Sequence, residues 1–319
     1  MKYFDMHCDT LTESLKSGKS FFDGSLQSSV KNLEKSGCAA QCFAIFTQGD
    51  SAAAFFDESF NYYKNTLESG AEKLVSVTTA ADLAACVNGQ RTGAVLTVEN
   101  LGFLHGDTDR LFSLAEKGVK MASLVWNFEN EFAYPNIVFE NGLPKFEKRE
   151  RRGLKTAGRK AVEALDSLKI MIDLSHLSDG GAEEILQNRK IPVVASHSNA
   201  AEVCNVSRNL TDGQIKTIAD CGGVVGVNFC KDFLGSGTTA AQTFDEVYRH
   251  ISHIIKVGGE DVVALGGDFD GIPPCAGLED CAKLPNLFNY LSDRGISGKI
   301  AEKLLYKNFL RVFKDVCGE

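Results

Sequence analysis

Short apolar runs alternate along the chain with segments in which apolar residues recur every three or four positions. Several runs, such as 170–172 and 223–227, are apolar almost without interruption, which is typical of parallel strands covered by helices. Eight runs have this character, at 3–7, 39–47, 93–98, 121–126, 170–176, 192–197, 223–229 and 262–268. We therefore predict eight buried, parallel strands.

Segments of helical periodicity separate these runs, at 107–117, 154–168, 179–188, 211–219 and 297–315. A further helix is predicted over 243–257, because Thr243 and Glu246 have the spacing of a capping box and two glycines follow. Strands that alternate with helices in this way predict a single (β/α)8 (TIM) barrel, which typically takes about 250 residues. We expect one catalytic domain over 1–319, with an insertion after the fourth strand at about 127–153 that is a candidate lid.

An open doubly wound sheet is the alternative fold. That fold would carry a glycine-rich, phosphate-binding turn after the first strand, and residues 8–11 contain no glycine. The barrel is therefore favoured.

Composition excludes several classes of protein. The formal charge is −8, with 34 Lys and Arg against 42 Asp and Glu, which argues against a nucleic-acid partner. We find no leading apolar segment and no uncharged run near 18 residues, so a cytoplasmic protein without membrane association is expected. The ten cysteines form no CxxC pair, so most are expected to be small buried residues in a reducing compartment.

Residues of metal-ligand type stand at the ends of the predicted strands. They are Asp5, His7 and Asp9 on the first strand, Glu99 after the third, His176 and His197 at the fifth and sixth, and Asp268 and Asp270 at the eighth. A His-x-Asp pair alone could be an ion pair, and strand-end residues could be polar caps. Because all strand ends of a barrel meet on one rim, however, we expect these side chains to converge.

The donor set suits two divalent ions, with zinc the first candidate. His7 and Asp9 would hold one ion, His176 and His197 the other, and Glu99 would bridge them. Two such ions lie roughly 3.5–4 Å apart and share a bridging hydroxide that acts as the nucleophile of a hydrolase. Asp268 is predicted to handle the proton, and Asp5 and Asp270 to orient ligands.

Motifs of one known family recur in order along nearly the whole chain. They are DMHCD (5–9), Gln41, TVEN (97–100), LVWN (124–127), GLK (153–155), IDLSH (172–176), SHSNA (196–200), RN (208–209), GDFDG (267–271) and NFLRVF (308–313). In these motifs the chain resembles the membrane (renal) dipeptidases, the zinc enzymes of peptidase family M19 among the amidohydrolase-like barrels.

The resemblance implies the same dinuclear zinc site, with Asp268 as the catalytic aspartate and a homodimer as the usual assembly. It also implies that Arg208 binds the carboxylate of the substrate's last residue, a bidentate task suited to a guanidinium. Without the resemblance, Arg208 would be read as an ordinary surface arginine. The implied substrates are dipeptides, with tolerance for a D-residue at the carboxy-terminal position.

Two departures from the renal type affect the substrate site. Where those enzymes carry a histidine that contacts the reacting carbonyl, this chain has Trp126, followed by Asn127. Trp126 is expected either to shape the side-chain pocket or to pack in the core. Asn127, another loop residue or the metal would replace the lost donor. After the seventh strand, Cys230 and Phe233 stand where the renal type has a tyrosine.

Three functions stay open on this reading. The first is a zinc dipeptidase that also accepts L,D-dipeptides. The second is a dinuclear metal hydrolase of another amide, such as an N-acyl or D-amino-acid derivative or a lactam. The third is a binding protein with a degenerate metal site. His250 and His253 are a further candidate metal pair, or alternatively helix-packing residues, and His105 is a candidate substrate-loop residue.

Overall fold

The computed structural model describes residues 1–187 and 189–318. Its strands are β1 (Tyr3–Cys8), β2 (Cys38–Phe46), β3 (Leu74–Ser76), β4 (Thr92–Glu99), β5 (Met121–Ser123), β6 (Val138–Glu140), β7 (Leu143–Lys145), β8 (Met171–Asp173), β9 (Val194–Ala195), β10 (Val224–Val227) and β11 (Val263–Leu265). Strands β1, β2, β4, β5, β8, β9, β10 and β11 pair in that order, all parallel. A parallel bridge from Cys8 to Phe269 nearly closes the ring. The prediction of an eight-stranded parallel barrel is confirmed.

Helices surround this barrel. They are α1 (Thr10–Ser17), α2 (Val30–Ser36), α3 (Ala52–Ser69), α4 (Ala80–Asn88), α5 (Leu111–Glu116), α6 (Thr156–Ser167), α7 (Asp179–Leu186), α8 (Asp212–Asp220), α9 (Lys231–Leu234), α10 (Ala240–Gly258), α11 (Leu284–Asp293), α12 (Gly298–Glu302) and α13 (Asn308–Cys317). A π-helical turn, Lys303–Lys307, joins the last two. The helix predicted at 179–188 ends at Leu186, and Asn188 and Glu319 lie outside the described residues.

The predicted capping box of α10 is wrong. The helix begins one turn earlier, where Thr239 accepts a hydrogen bond from the Gln242 amide and the Gln242 side chain accepts from the Thr239 amide. Thr243 is buried inside the helix, and the Glu246 carboxylate accepts from the amide of Gly237 instead. Two successive Thr-x-x-Glu/Gln patterns, at 239–242 and 243–246, compete here, and the earlier one caps the helix.

An apolar layer fills the amino-terminal end of the barrel. Phe4 at the start of β1 packs edge to face on Phe309 of α13, with ring centroids 6.5 Å apart. Met121, Met171 and Val194 belong to the same buried cluster. This end of the barrel is therefore closed by packing, and the cavity lies at the carboxyl-terminal ends of the strands.

The segment between β5 and α6 folds over one side of the carboxyl-terminal end. It carries the antiparallel hairpin of β6 and β7. Its backbone is bonded to the loop after β8, since the Asn136 amide donates to the His176 carbonyl (2.7 Å) and the Ser178 amide donates to the Tyr134 carbonyl (3.0 Å). Phe132, within this segment, is fully buried.

Candidate active site

A cavity of about 380 Å³ lies at the carboxyl-terminal ends of the strands. The sequence-predicted residues that line it are Asp9, Glu99, Trp126, Asn127, His176, Arg208, Cys230, Phe233, Asp268 and Asp270. His7 and His197 are buried, and their rings lie 3.9 Å apart, centroid to centroid. Side chains from both halves of the sequence are thus brought to one place.

Glu99, the last residue of β4, lies between two pairs of ligand-type side chains. Its Oε2 is 3.7 Å from Nε2 of His7, and that nitrogen is 3.4 Å from Oδ2 of Asp9. Its Oε1 is 3.0 Å from Nε2 of His176 and 3.7 Å from Nε2 of His197. Each carboxylate oxygen therefore faces one pair, which is the geometry of a bridging ligand.

These residues fit a divalent metal cluster. Within the described chain, Nε2 of His7 and Oδ1 of Asp9 are buried without a hydrogen-bond partner. Nε2 of His176 and Nε2 of His197 lie 2.9 Å apart, and burial lowers the pKa of both rings well below its usual range, so both are neutral. Neutral imidazole nitrogens and carboxylate oxygens are the donors that zinc prefers. Three sets have ligand atoms within 4.8 Å of one another: His7, Asp9 and Glu99; Glu99, His176 and His197; and His7, His197 and Asp268.

The cluster concentrates buried negative charge. Burial by itself lowers the pKa of His7, but the carboxylates of Glu99, Asp9 and Asp268 outweigh it and raise that pKa to about 10. Burial raises the pKa of Glu99 well above its usual range and that of Asp268 to about 6. Bound cations would offset this charge, and nearby ions dominate the electrostatics of such sites.

The carboxylates of Asp5 and Asp270 accept hydrogen bonds from backbone amides and, within the described chain, form none with the side chains of the candidate ligands. A register shift between Asp5 and Cys8 interrupts the regular alternation of β1. Oδ1 of Asp5 accepts from the amides of His7 (3.1 Å) and Gly267 (3.0 Å), which ties the first strand to the loop after β11. Asp270 accepts from the amides of Gln27 and Ser28 and from the Thr10 hydroxyl, at the edge of the cavity.

Two contacts to the cluster were not anticipated from the sequence. Oγ of Ser196 lies 2.7 Å from Nδ1 of His197 and 2.5 Å from Oδ2 of Asp173. The Asn228 amide donates to Oδ2 of Asp268 at 2.9 Å. The signal was present, because all three are polar residues within predicted apolar runs.

Arg208 is only 2% exposed, so the reading as a surface arginine is wrong. Its Nη2 donates to Nε2 of His176 (3.2 Å) and to the His197 carbonyl (3.4 Å), and its guanidinium lies 5.2 Å from the centre of the Phe233 ring. Its Nε and Nη1 have no hydrogen-bond partner within the described residues. A buried guanidinium with two free donors beside a cavity is a prepared site for an anion.

Asn127 and Trp126 also line the cavity. Nδ1 of His176 lies 2.8 Å from Oδ1 of Asn127. The Trp126 ring lies 4.8 Å from that of Phe46 and 6.1 Å from that of His176, centroid to centroid.

The remaining candidate histidines lie elsewhere. His250 is buried between the Ala200 amide and the Leu234 carbonyl. Nε2 of His253 instead lies 2.7 Å from Oδ1 of Asp212, the first residue of α8. The two therefore do not form a metal pair. His105 is largely exposed, 3.8 Å from Glu131, and does not line the cavity.

A family model for the membrane dipeptidases, peptidase family M19, matches residues 1–317. The chain belongs to peptidase family M19. The family membership that the motifs predicted is thus confirmed, and the protein is a metallo-dipeptidase of this family by sequence and fold.

Relatives of this M19 chain agree with that placement. This chain is 36% identical over 255 residues to a protein encoded in the 5′ region of pqqA in Klebsiella pneumoniae. The match covers 79% of this chain and 93% of the relative. The chain is also 36% identical over 234 residues to an uncharacterized dipeptidase of Schizosaccharomyces pombe, covering 73% of this chain but 55% of that longer protein.

Solved M19 structures share the whole fold. The crystal structure of dipeptidase AC, a metallopeptidase of family M19, has a TM-score of 0.92 at 26% identity, over 100% of this chain and 99% of that one. A metallopeptidase from Rhodobacter sphaeroides, liganded with a phosphinate mimic of the dipeptide L-Ala-D-Ala, has a TM-score of 0.88 at 26% identity, over 99% of both chains. Despite the family's name, no helix in the described part of this chain has the length and apolar character needed to span a bilayer.

Proposed function

We propose that this M19 chain is a zinc dipeptidase that binds two zinc ions. His7 and Asp9 would hold one ion, His176 and His197 the other, and Glu99 would hold both. The supporting observation is the position of Glu99, whose two oxygens face the two pairs separately. When bound, the two ions would activate the attacking water and polarise the scissile carbonyl.

Arg208 would select for dipeptides. Its Nε and Nη1 have no partner among the described residues, and the charged guanidinium can donate to a carboxylate. Because Nη2 of Arg208 lies 3.2 Å from Nε2 of His176, a carboxylate held there lies close to the cluster, so little chain can separate it from the reacting carbonyl. A free carboxylate one residue beyond the scissile bond meets that requirement, and a longer peptide does not.

Asp268 would move the proton. Its carboxyl lines the cavity, is held by Asn228, and has a pKa raised to about 6 by burial. A carboxylate with a pKa near neutrality can accept a proton from the attacking water and return it to the leaving amine. Glu99 would contribute to catalysis by holding the two ions in position.

Substitution of Arg208 by Met tests the carboxylate site. We expect KM for a dipeptide to rise by about 100-fold, because a buried charge-assisted contact is lost. Amidation of the dipeptide should cost the wild-type enzyme as much, and the variant should lose little more on the amide. Equal KM for Arg208→Met and wild type would contradict the assignment.

Metal analysis tests the number of ions. We expect two zinc ions per chain after loading with zinc and gel filtration. One ion or none would contradict the dinuclear proposal.

The range of substrates is also part of the proposal. The Rhodobacter sphaeroides relative binds a mimic of an L,D-dipeptide, which supports including L,D-dipeptides here. Trp126, in the place of the renal histidine, supports the alternative of another amide, such as an N-acyl or D-amino-acid derivative or a lactam. A panel of L,L- and L,D-dipeptides beside N-acyl amino acids and lactams separates the two.

The resemblance further supports one catalytic domain over 1–319 with its insertion at 127–153, and a homodimer. Limited proteolysis tests whether the chain is a single domain, and sedimentation equilibrium tests whether it is a homodimer.

A further inference from the structure

Asn127 contacts the cluster and the cavity together. It follows β5, lines the cavity with Glu99, His176 and Arg208, and places its side-chain amide 2.8 Å from Nδ1 of His176. Among the described residues that line the cavity, it carries the one primary amide.

The proton on His176 determines how this amide is turned. Nη2 of Arg208, which can only donate, lies 3.2 Å from Nε2 of His176, and Nε2 is the nitrogen proposed above to bind zinc, so the lone pair of the ring is on Nε2. A neutral imidazole that offers Nε2 as acceptor or ligand carries its proton on Nδ1. Nδ1 therefore donates, and Asn127 must present its oxygen to the ring.

The amide nitrogen of Asn127 is consequently turned away from His176. It has no hydrogen-bond acceptor in the described protein, and the side chain is only half-buried at the cavity wall. Two donors thus flank His176 toward the cavity: the guanidinium of Arg208 and the amide nitrogen of Asn127.

We propose that Asn127 has two simultaneous roles, which rest on the dipeptidase function proposed above. Its Oδ1 fixes the Nδ1 proton of His176, and its Nδ2 donates to the carbonyl oxygen of the substrate as negative charge develops there. A donor placed at a developing oxyanion accelerates the reaction more than it strengthens substrate binding. The amide thereby supplies the contact to the reacting carbonyl that Trp126 does not.

A pair of variants separates the two roles. Asn127→Asp keeps an oxygen for the Nδ1 proton but replaces the NH2 donor, so we expect kcat to fall by about 100-fold or more with little change in KM. Its zinc affinity, measured by competition with a chromophoric chelator, should stay at or above the wild-type value. Asn127→Ala removes both contacts, so zinc affinity should also fall, by about 10-fold or more.

A phosphinate dipeptide mimic gives an independent readout. Its affinity should fall in Asn127→Asp in parallel with kcat/KM, whereas the affinity of the product amino acids should not. Wild-type kcat in Asn127→Asp would overturn the donor role. Wild-type zinc affinity in Asn127→Ala would overturn the positioning role.

Failure of the proposed function gives a different result. In that case the wild-type chain, with both zinc ions bound, would hydrolyse no dipeptide. The zinc titrations of the two variants would still decide the positioning role.

Discussion

Neighbouring polar side chains determine which nitrogen of His197 carries the proton. Asp173 accepts from the hydroxyl of Ser196, and Oγ of Ser196 in turn accepts from Nδ1 of His197. Nε2 of His197, 3.7 Å from Oε1 of Glu99, is thereby left with the lone pair that a metal ligand needs. Such outer partners typically set the tautomer and orientation of metal-binding imidazoles.

We expect Ser196→Ala to weaken zinc binding by about 10- to 100-fold at one of the two sites, because His197 loses the acceptor that fixes its proton. Titration of the metal-free protein with zinc against a chelator measures this. Ser59→Ala is the matched control, since Ser59 is also buried but its hydroxyl has no partner within the described chain. Equal affinity in all three proteins would contradict the role of Ser196.

For single residues, the convergence of the candidate ligands could be predicted from the sequence, but the burial of Arg208 could not. Glu99, His176 and His197 stand at strand ends, where the barrel geometry dictates a common rim. Arg208 lies in a loop whose path depends on distant contacts, such as the Ser207 amide donating to the Phe146 carbonyl at 2.6 Å. No local pattern in the sequence encodes such a contact.

Among the elements, the segment between β5 and α6 acts on the loop that carries Arg208. Arg149, in that segment, donates through Nη2 to the carbonyls of Val206 (3.3 Å) and Asn209 (2.9 Å), on either side of Arg208. Its Nη1 pairs with the buried Asp179 at 3.1 Å. The insertion therefore fixes the loop that presents the guanidinium.

We expect Arg149→Met to raise KM for dipeptides by about 10-fold while kcat and zinc content stay near wild type, because a displaced Arg208 loses substrate binding rather than chemistry. Steady-state kinetics and metal analysis measure this. Arg151→Met is the control, since Arg151 also pairs with Asp179 but its side chain is 64% exposed. A fall in kcat alone would place Arg149 in another role.

Helix α10 reaches the same loop through His250. The ring accepts from the Ala200 amide at Nδ1 (3.1 Å) and donates from Nε2 to the Leu234 carbonyl (3.0 Å), so both nitrogens are engaged by the neutral form. Burial lowers the pKa of His250 from 6.5 to about 4. A spacing of three residues suggested a pair with His253, but the turn of α10 places His253 beside Asp212 instead.

We expect His250 to make the fold less stable as the pH falls. Between pH 6.5 and about 4 the unfolded chain binds a proton at this ring and the folded chain does not, so the free energy of unfolding decreases, by roughly 3 kcal/mol in full. Urea unfolding at several pH values should show a shallower pH dependence for His250→Gln than for wild type. His253→Gln should keep the wild-type slope, and equal slopes in all three proteins would contradict the assignment.

Over the whole molecule, stability and chemistry occupy opposite ends of one barrel. The amino-terminal end is packed by apolar side chains such as Phe4, Phe309 and Phe313. The carboxyl-terminal end holds Asp9, Glu99 and Asp268, all buried. The alternation of runs along the sequence was sufficient to predict this barrel, because parallel strands covered by helices have few other closed arrangements.

The metal cluster should therefore stabilise the folded barrel as well as serve the reaction. The two divalent ions proposed above would add four positive charges to a chain of formal charge −8, all at the end where carboxylates are buried. Ligands that bind only the folded state stabilise it by about 4 kcal/mol when present at 1,000 times their dissociation constant. Removal of zinc by a chelator should thus lower Tm by roughly 10 °C, and added zinc should restore it. Calorimetry measures the shift.

The double variant His7→Ala, His176→Ala should have the same Tm with and without chelator, which excludes a direct effect of the chelator. Equal Tm for loaded and stripped wild type would mean that the buried carboxylates are stable without cations.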